Sequence, residues 1–128
     1  MGRILAVDDE RDILLLYQEA LGTFGHEVIG AVSGAEAMEY LEREAPDLVL
    51  LDLRMPDISG LEVLEWLRRR RPHVPIIVCS AVHGLRDEFA IWSAHVAAFL
   101  PKPLDMAHLL REVALVLEGE PESDEAAT

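Results

Sequence analysis

Five polar residues stand at the close of short apolar runs. Asp8 and Asp9 follow ILAV (4–7), and Asp52 follows LVLL (48–51). Ser80 follows PIIVC (75–79), and Lys102, between Pro101 and Pro103, follows AAFL (97–100). Three acids brought close repel one another and push at least one pKa upward. A hard divalent cation relieves that repulsion, and a few protein oxygens sharing a shell with water and phosphate suit Mg²⁺ or the similar Mn²⁺. Lys102 adds a mobile point charge. It is the sole lysine in a chain with ten arginines, which points to a need for an ammonium there. With cation and ammonium set against phosphoryl oxygens and Ser80 donating to another, Asp52 would be the nucleophile. The set describes phosphoryl transfer.

Each residue alone has a plainer reading. Asp8 or Asp9 could cap a helix, Ser80 could sit in a turn, and Lys102 could be a solvated loop residue. Their common position at the same end of successive strands is what resists that reading. The five histidines are scattered, and no His–Cys cluster has zinc spacing.

Apolar runs and amphipathic stretches alternate along the chain. Strands are expected at 4–7, 27–32, 47–51, 75–79 and 97–100. Between them Ile13, Leu16, Tyr17, Ala20, Leu21 and Phe24 recur at helical spacing and Gly25 stops the helix. Ser33 with Glu36 forms a capping-box pattern opening a helix to about Ala45, just before Pro46. Leu61, Val63, Leu64 and Leu67 mark a third helix, Leu85, Phe89, Trp92 and Val96 a fourth, and Met106, Leu109, Leu110, Val113 and Leu117 a fifth, closed by Gly119. Strands apolar at nearly every position imply a parallel sheet buried on both faces, and right-handed crossovers put helices on both sides. The expected fold is a doubly wound α/β sandwich, whose ligand crevice lies beyond the carboxyl ends of the strands. The second strand ends in plain Val32-Ser33, as an edge strand outside the site would.

At 128 residues the chain has room for one domain with a proper core. No apolar run approaches the ~20 residues of a membrane span, and no basic-then-apolar signal opens the sequence, so a cytoplasmic location is expected. A lone cysteine, Cys79, excludes an internal disulfide and reads as a small buried hydrophobe. The formal charge is −13, which argues against direct binding to nucleic acid or an anionic membrane. Five of the acids lie from Glu118 onward, leaving −8 on the rest. Residues 119–128 are expected as an acidic disordered tail or the start of a linker, with 1–118 as the domain. The run Arg68 to Arg71 is expected to complete the last turn of a helix, where cations suit the dipole.

VDDE after the first strand, LLDLRMPDISG around Asp52, CSA after the fourth strand and FLPKP at the fifth together resemble the receiver domain of two-component response regulators, of the chemotaxis-regulator kind. The resemblance spans roughly 3–118, and its pieces are specific in combination. It implies a flavodoxin-like five-stranded sheet of order 2-1-3-4-5. Asp52 then matches the phosphoacceptor, Asp9 the acid that binds Mg²⁺ directly, and Asp8 its neighbour acting through water. The backbone carbonyl of Arg54 matches a further metal ligand, Ser80 the switch hydroxyl, and Lys102 the invariant lysine, usually joined by a cis peptide to the next proline. Met55, Pro56 and Gly60 match the loop that leaves the site. The resemblance also implies a histidine kinase or phosphotransfer protein as phosphoryl donor. Phosphorylation would then draw Ser80 inward, with Phe99 following, and reshape the face of the fourth helix, fifth strand and fifth helix for a downstream protein, an output domain or a homodimer. Such a domain is not an enzyme in the usual sense; it catalyses only its own phosphorylation and dephosphorylation.

Some positions depart from the pattern. Phe99 replaces the commoner tyrosine, and His95 stands where glycine is frequent. Arg54 and Val82 occupy the variable positions beside the site. Core packing is expected to explain most of Phe89, Ile91, Trp92 and Phe99, and a partner surface the rest. A haloacid-type phosphatase would want an acid where Arg54 stands. A flavin carrier would want a phosphate loop where DDERD would repel phosphate. The alternative that survives is a receiver-like interaction module signalling without phosphorylation.

Overall fold

The computed structural model describes residues 2–81 and 84–118, without the side chains of 85–87. Five strands and five helices alternate: β1 (Arg3–Val7), α1 (Arg11–Gly22), β2 (Glu27–Ala31), α2 (Gly34–Arg43), β3 (Leu48–Leu51), α3 (Gly60–Arg70), β4 (Ile76–Ser80), α4 (Gly84–Ser93), β5 (Ala98–Pro101) and α5 (Met106–Glu118). The strands form one parallel sheet in the order β2-β1-β3-β4-β5, as expected. The tail expected at 119–128 and Val82 lie outside the described residues.

Alternation along the strands divides the core. Leu5, Val7, Val49, Leu51, Ile76 and Val78 pack with residues of α2, α3 and α4 such as Leu41, Leu64 and Leu67. Ile4, Ala6, Leu48, Leu50, Ile77 and Cys79 pack with Leu14, Tyr17 and Leu21 of α1 and Leu109 and Val113 of α5. Central strands buried on both faces tolerate no polar side chain along their length. Polar residues are therefore confined to the strand ends, where the site lies.

Two expected helical stripes are corrected. In α1 the buried positions are Leu14, Tyr17 and Leu21, while Leu16 and Phe24 are exposed. The helix carries apolar residues around much of its first turns, so spacing alone cannot choose the face that meets the sheet. In α4, Phe89 and Trp92 are 73% and 78% exposed, whereas Ala90 and Ile91, with Ala94 and Val96 just after the helix, pack inward. Core packing thus accounts for Ile91 and Phe99 but not for the two exposed aromatics.

Helix ends follow local chemistry. Ser33 Oγ accepts from Glu36 N at 3.1 Å, and Glu36 reaches back to Val32 N rather than to the cap's own amide. The helix stops at Arg43, short of the expected Ala45, because a residue before proline is driven out of the helical region. Neither Asp8 nor Asp9 caps α1; its N-cap is Glu10, with no side-chain cap bond. After α4 the chain turns through His95 at φ 52°, a left-handed conformation that favours glycine.

The arginine run does more than suit a dipole. Arg68 donates to the carbonyls of Ala94, Arg71 and Val74, and Arg71 to those of Leu41 and Glu44. Arg70 lies over the Trp66 ring, 5.2 Å from its centroid. Two of the four therefore cap the carboxyl ends of neighbouring helices.

Candidate functional site

The strand ends converge as the sequence requires. Past the last paired residues the ladder continues for one step: Asp8 N donates to Ala31 O, and Asp52 N to Val7 O, both at 3.0 Å. Asp8 and Asp52 are thereby fixed side by side at the carboxyl edge of β1 and β3. Ser80 ends β4 opposite Pro101 of β5, and Lys102 follows at once, joined to Pro103 by a cis peptide.

Asp52 is 4% exposed, and each of its oxygens has a partner. Oδ1 accepts from Ser80 Oγ at 2.8 Å and from Arg54 N at 3.0 Å; Oδ2 accepts from Lys102 Nζ at 3.2 Å. Ser80 Oγ is fully buried and also accepts from Leu53 N at 3.3 Å. Lys102 Nζ lies 2.8 Å from Asp8 Oδ2 and 4.0 Å from exposed Glu10. Asp8, 1% exposed, accepts from Glu10 N as well. Asp9 is exposed, and carboxylate oxygens of Asp8, Asp9 and Asp52 all lie within 4.8 Å of one another.

The electrostatics leave negative charge in surplus. Burial pushes the Asp8 carboxyl above its ordinary value, and the hydrogen bonds from Lys102 and Glu10 only partly oppose this. Burial would lower Lys102, but its bond to Asp8 and the charges of Asp52 and Asp8 outweigh it, so its pKa is raised. The two partners shift differently because Asp8 is the more deeply buried and has less opposite charge to offset that burial. Lys102 faces two buried carboxylates, whereas Asp8 must share one ammonium with Asp52. A hard cation on the open side of the three carboxylates fits this donor set: oxygens only, one of them exposed.

The expected residues Asp8, Asp9, Asp52, Ser80 and Lys102 are brought together. Arg54 enters through its amide, bonded to Asp52. Phe99 stands beside Val78 in the sheet and lines an open cleft of about 460 Å³ with Ile91, Trp92 and Val96. Two neighbours escaped the sequence reading. Glu10 extends the acid cluster, and the DDE triplet could have signalled it. Asp57 leaves the site loop for the start of α2, accepting from Gly34 N and Ala35 N at 3.1 Å each. Partners 22 and 23 residues upstream leave no local signal.

Beneath the site, burial pushes the Cys79 thiol up to about 12. Burial also raises Tyr17, whose hydroxyl has, among the described residues, no hydrogen-bond partner in reach other than the weak Cys79 sulfur. Both groups belong to the packed floor rather than to the chemistry. Among the described residues no helix is long and apolar enough to cross a membrane.

Comparison with known proteins agrees with this fold. The family model of the response regulator receiver domain matches residues 4–114. The transcriptional regulatory protein GlrR of Escherichia coli is 35% identical over 125 residues, 97% of this chain and 28% of its own. The transcriptional regulatory protein PrrA of Mycobacterium tuberculosis is 36% identical over 115 residues, 90% of this chain and 49% of its own. The chain thus spans from about a quarter to half the length of these relatives. Among solved structures, a CheY-like receiver domain protein of Methanospirillum hungatei superposes with a TM-score of 0.86 at 31% identity, covering 95% of this chain and 98% of that one. The response regulator TrrA of Thermotoga maritima, solved in complex with Mg(2+)-BeF, gives 0.81 at 35% identity, covering 91% and 100%.

Proposed function

The chain belongs to the response regulator receiver domain family, and from that premise we propose that it is a phosphoacceptor, taking a phosphoryl group from a histidine kinase or phosphotransfer protein onto Asp52. The observation that carries the reading is the environment of Asp52. A buried carboxylate is held by a hydroxyl and an ammonium and flanked by two further acids. In the transfer the donor's N–P bond breaks, an Asp52 O–P bond forms, and the histidine nitrogen leaves with the electron pair. Buried Ser80 and Arg54 N orient the carboxylate from one side. Lys102, already bridging Asp8 and Asp52, supplies an ammonium for the incoming phosphoryl oxygens.

Asp9 and Asp52 would hold Mg²⁺ or Mn²⁺ directly, with Asp8 through water and the backbone carbonyl of Arg54 as a further ligand. Bound there, the ion supplies positive charge against the phosphoryl oxygens and the crowded acids. The comparison protein from Thermotoga, with its Mg(2+)-BeF complex, supports that assignment. In the phosphorylated state the Ser80 hydroxyl would leave Asp52 Oδ1 for a phosphoryl oxygen, and Phe99 would move toward the space released. The cleft beside Phe99 gives this face of α4 and β5 room to change for a downstream protein, an output domain or a second copy. Residues 1–118 form the receiver in this reading, working in the cytoplasm. The acidic charge of this stretch says nothing of nucleic-acid binding by a whole regulator.

Incubation with a small-molecule phosphodonor and Mg²⁺, followed by intact mass, tests the proposal. One phosphoryl group is expected, absent in Asp52→Asn and with EDTA. Mg²⁺ binding without any addition, even from a cognate kinase, would favour an interaction module that signals without phosphorylation.

A further inference from the structure

The loop from Leu53 to Ser59 carries the Arg54 peptide against Asp52, and it is fastened at three places. At its start Leu53 N and Arg54 N donate to Ser80 Oγ and Asp52 Oδ1. At its end Gly60 N donates to Leu53 O at 3.1 Å, and Gly60 lies so close to the Asp52 carbonyl that no Cβ would fit. In between, Asp57 spreads its two oxygens over Gly34 N and Ala35 N, at the first turn of α2. A Cβ on Gly34 would meet Ile58 O at 2.5 Å, so loop and helix touch backbone to backbone.

The helix gains one buried cap bond from this arrangement, at Gly34. The ladder of α2 begins with Ala37 N on Ser33 O, and the amides before it have no partner within that ladder; of these Glu36 N is satisfied by Ser33 Oγ. Ala35 is exposed, so water could serve its amide at small cost, whereas Gly34 is buried and its amide needs the Asp57 oxygen. The carboxylate gains from the helix's positive end, and its two bonds tie the loop to the first turn of α2. We propose that Asp57 is a positioning residue for the phosphoacceptor site: its bonds to the Gly34 and Ala35 amides hold the 53–59 loop so that the Arg54 peptide stays against Asp52. The inference rests on the receiver reading only in taking the acid cluster as the seat of a divalent ion.

The test compares Asp57→Ala, Asp57→Asn and Ser33→Ala by two NMR readouts on the whole chain. One is amide exchange at Leu53 and Arg54 without metal. The other is the Mg²⁺ Kd from titration of the same amides. Ser33→Ala loosens the first turn of α2 without touching the loop, and so controls for a merely structural cap. Asp57→Ala is expected to speed Arg54 exchange and weaken Mg²⁺ by about tenfold, as removal of a ligand's supporting partner commonly does. Asp57→Asn, which keeps one acceptor, should recover part of both effects. Equal behaviour of Asp57→Ala and wild type, or of Asp57→Ala and Ser33→Ala, would overturn the proposal. Wild type that binds no Mg²⁺ would instead overturn the reading of the site, while Arg54 exchange still decides the role of Asp57.

Discussion

Lys102 is one ammonium set against buried Asp8 and Asp52, with Asp9 and Glu10 at the rim. Without metal the site holds more like charge than it neutralises, a cost to folding that function requires. Asp9→Asn removes one rim charge with almost no change of shape. In metal-free buffer the variant is expected to be more stable than wild type by about 0.5 kcal/mol, the scale of an exposed charge interaction. Mg²⁺ at 100 times its Kd should then stabilise wild type by about 2.7 kcal/mol and the variant by much less. The order of the two proteins therefore reverses on adding metal. Urea denaturation with and without Mg²⁺ reads this directly, and an unchanged order would rule out the acid cluster as the ion's seat. At this scale the sequence was legible because strand ends are few and polar residues there are conspicuous. Asp57 was not legible, because its partners are remote backbone amides without a signature of their own.

His95 closes α4 in a left-handed conformation, φ 52°, with its ring Nδ1 3.1 Å from the Ser93 carbonyl. A non-glycine residue there costs about 1 kcal/mol in the folded chain, and glycine returns part of that gain through its looser unfolded state. His95→Gly is therefore expected to raise stability by about 0.5 kcal/mol, seen as a higher urea midpoint at unchanged slope, with phosphoryl acceptance unaltered. A lower midpoint would mean that the His95 ring contributes more than its backbone costs. Elements were readable in the sequence by kind and order but less well by face. Strands declare themselves when every residue is apolar. The stretch ILLLY in α1 offers apolar residues to two faces at once, so only packing against the sheet selects Leu14 and Tyr17 over Leu15 and Leu16. The exposed Phe89 and Trp92 misled in the same way, because a helical stripe records spacing and not what lies opposite it.

Across the whole molecule the two ends of the sheet rest on different chemistry. The carboxyl end crowds acids around Asp52. At the amino end acids and donors are paired at the surface: Arg3 meets Glu27 and Glu44, its amide bonds to Asp47, and His26 accepts from Gly2 N. Arg71 completes that end by donating to Leu41 O at 2.6 Å and to Glu44 O at 3.4 Å, where α2 stops. Charged hydrogen bonds of this kind contribute on the order of 1.5 kcal/mol, and effects of separated groups add. Arg71→Ala should therefore cost about 1.5 kcal/mol in urea denaturation while leaving both the Mg²⁺ Kd and phosphoryl acceptance at wild-type values. Asp9→Asn should show the opposite pattern, with stability kept and metal lost. Combined in one chain, the two substitutions should have additive effects on stability, because no shared partner joins them. A double variant that departs from additivity, or an Arg71→Ala protein with weakened Mg²⁺ binding, would mean that α2 carries strain from its carboxyl end to the loop that Asp57 holds at its amino end.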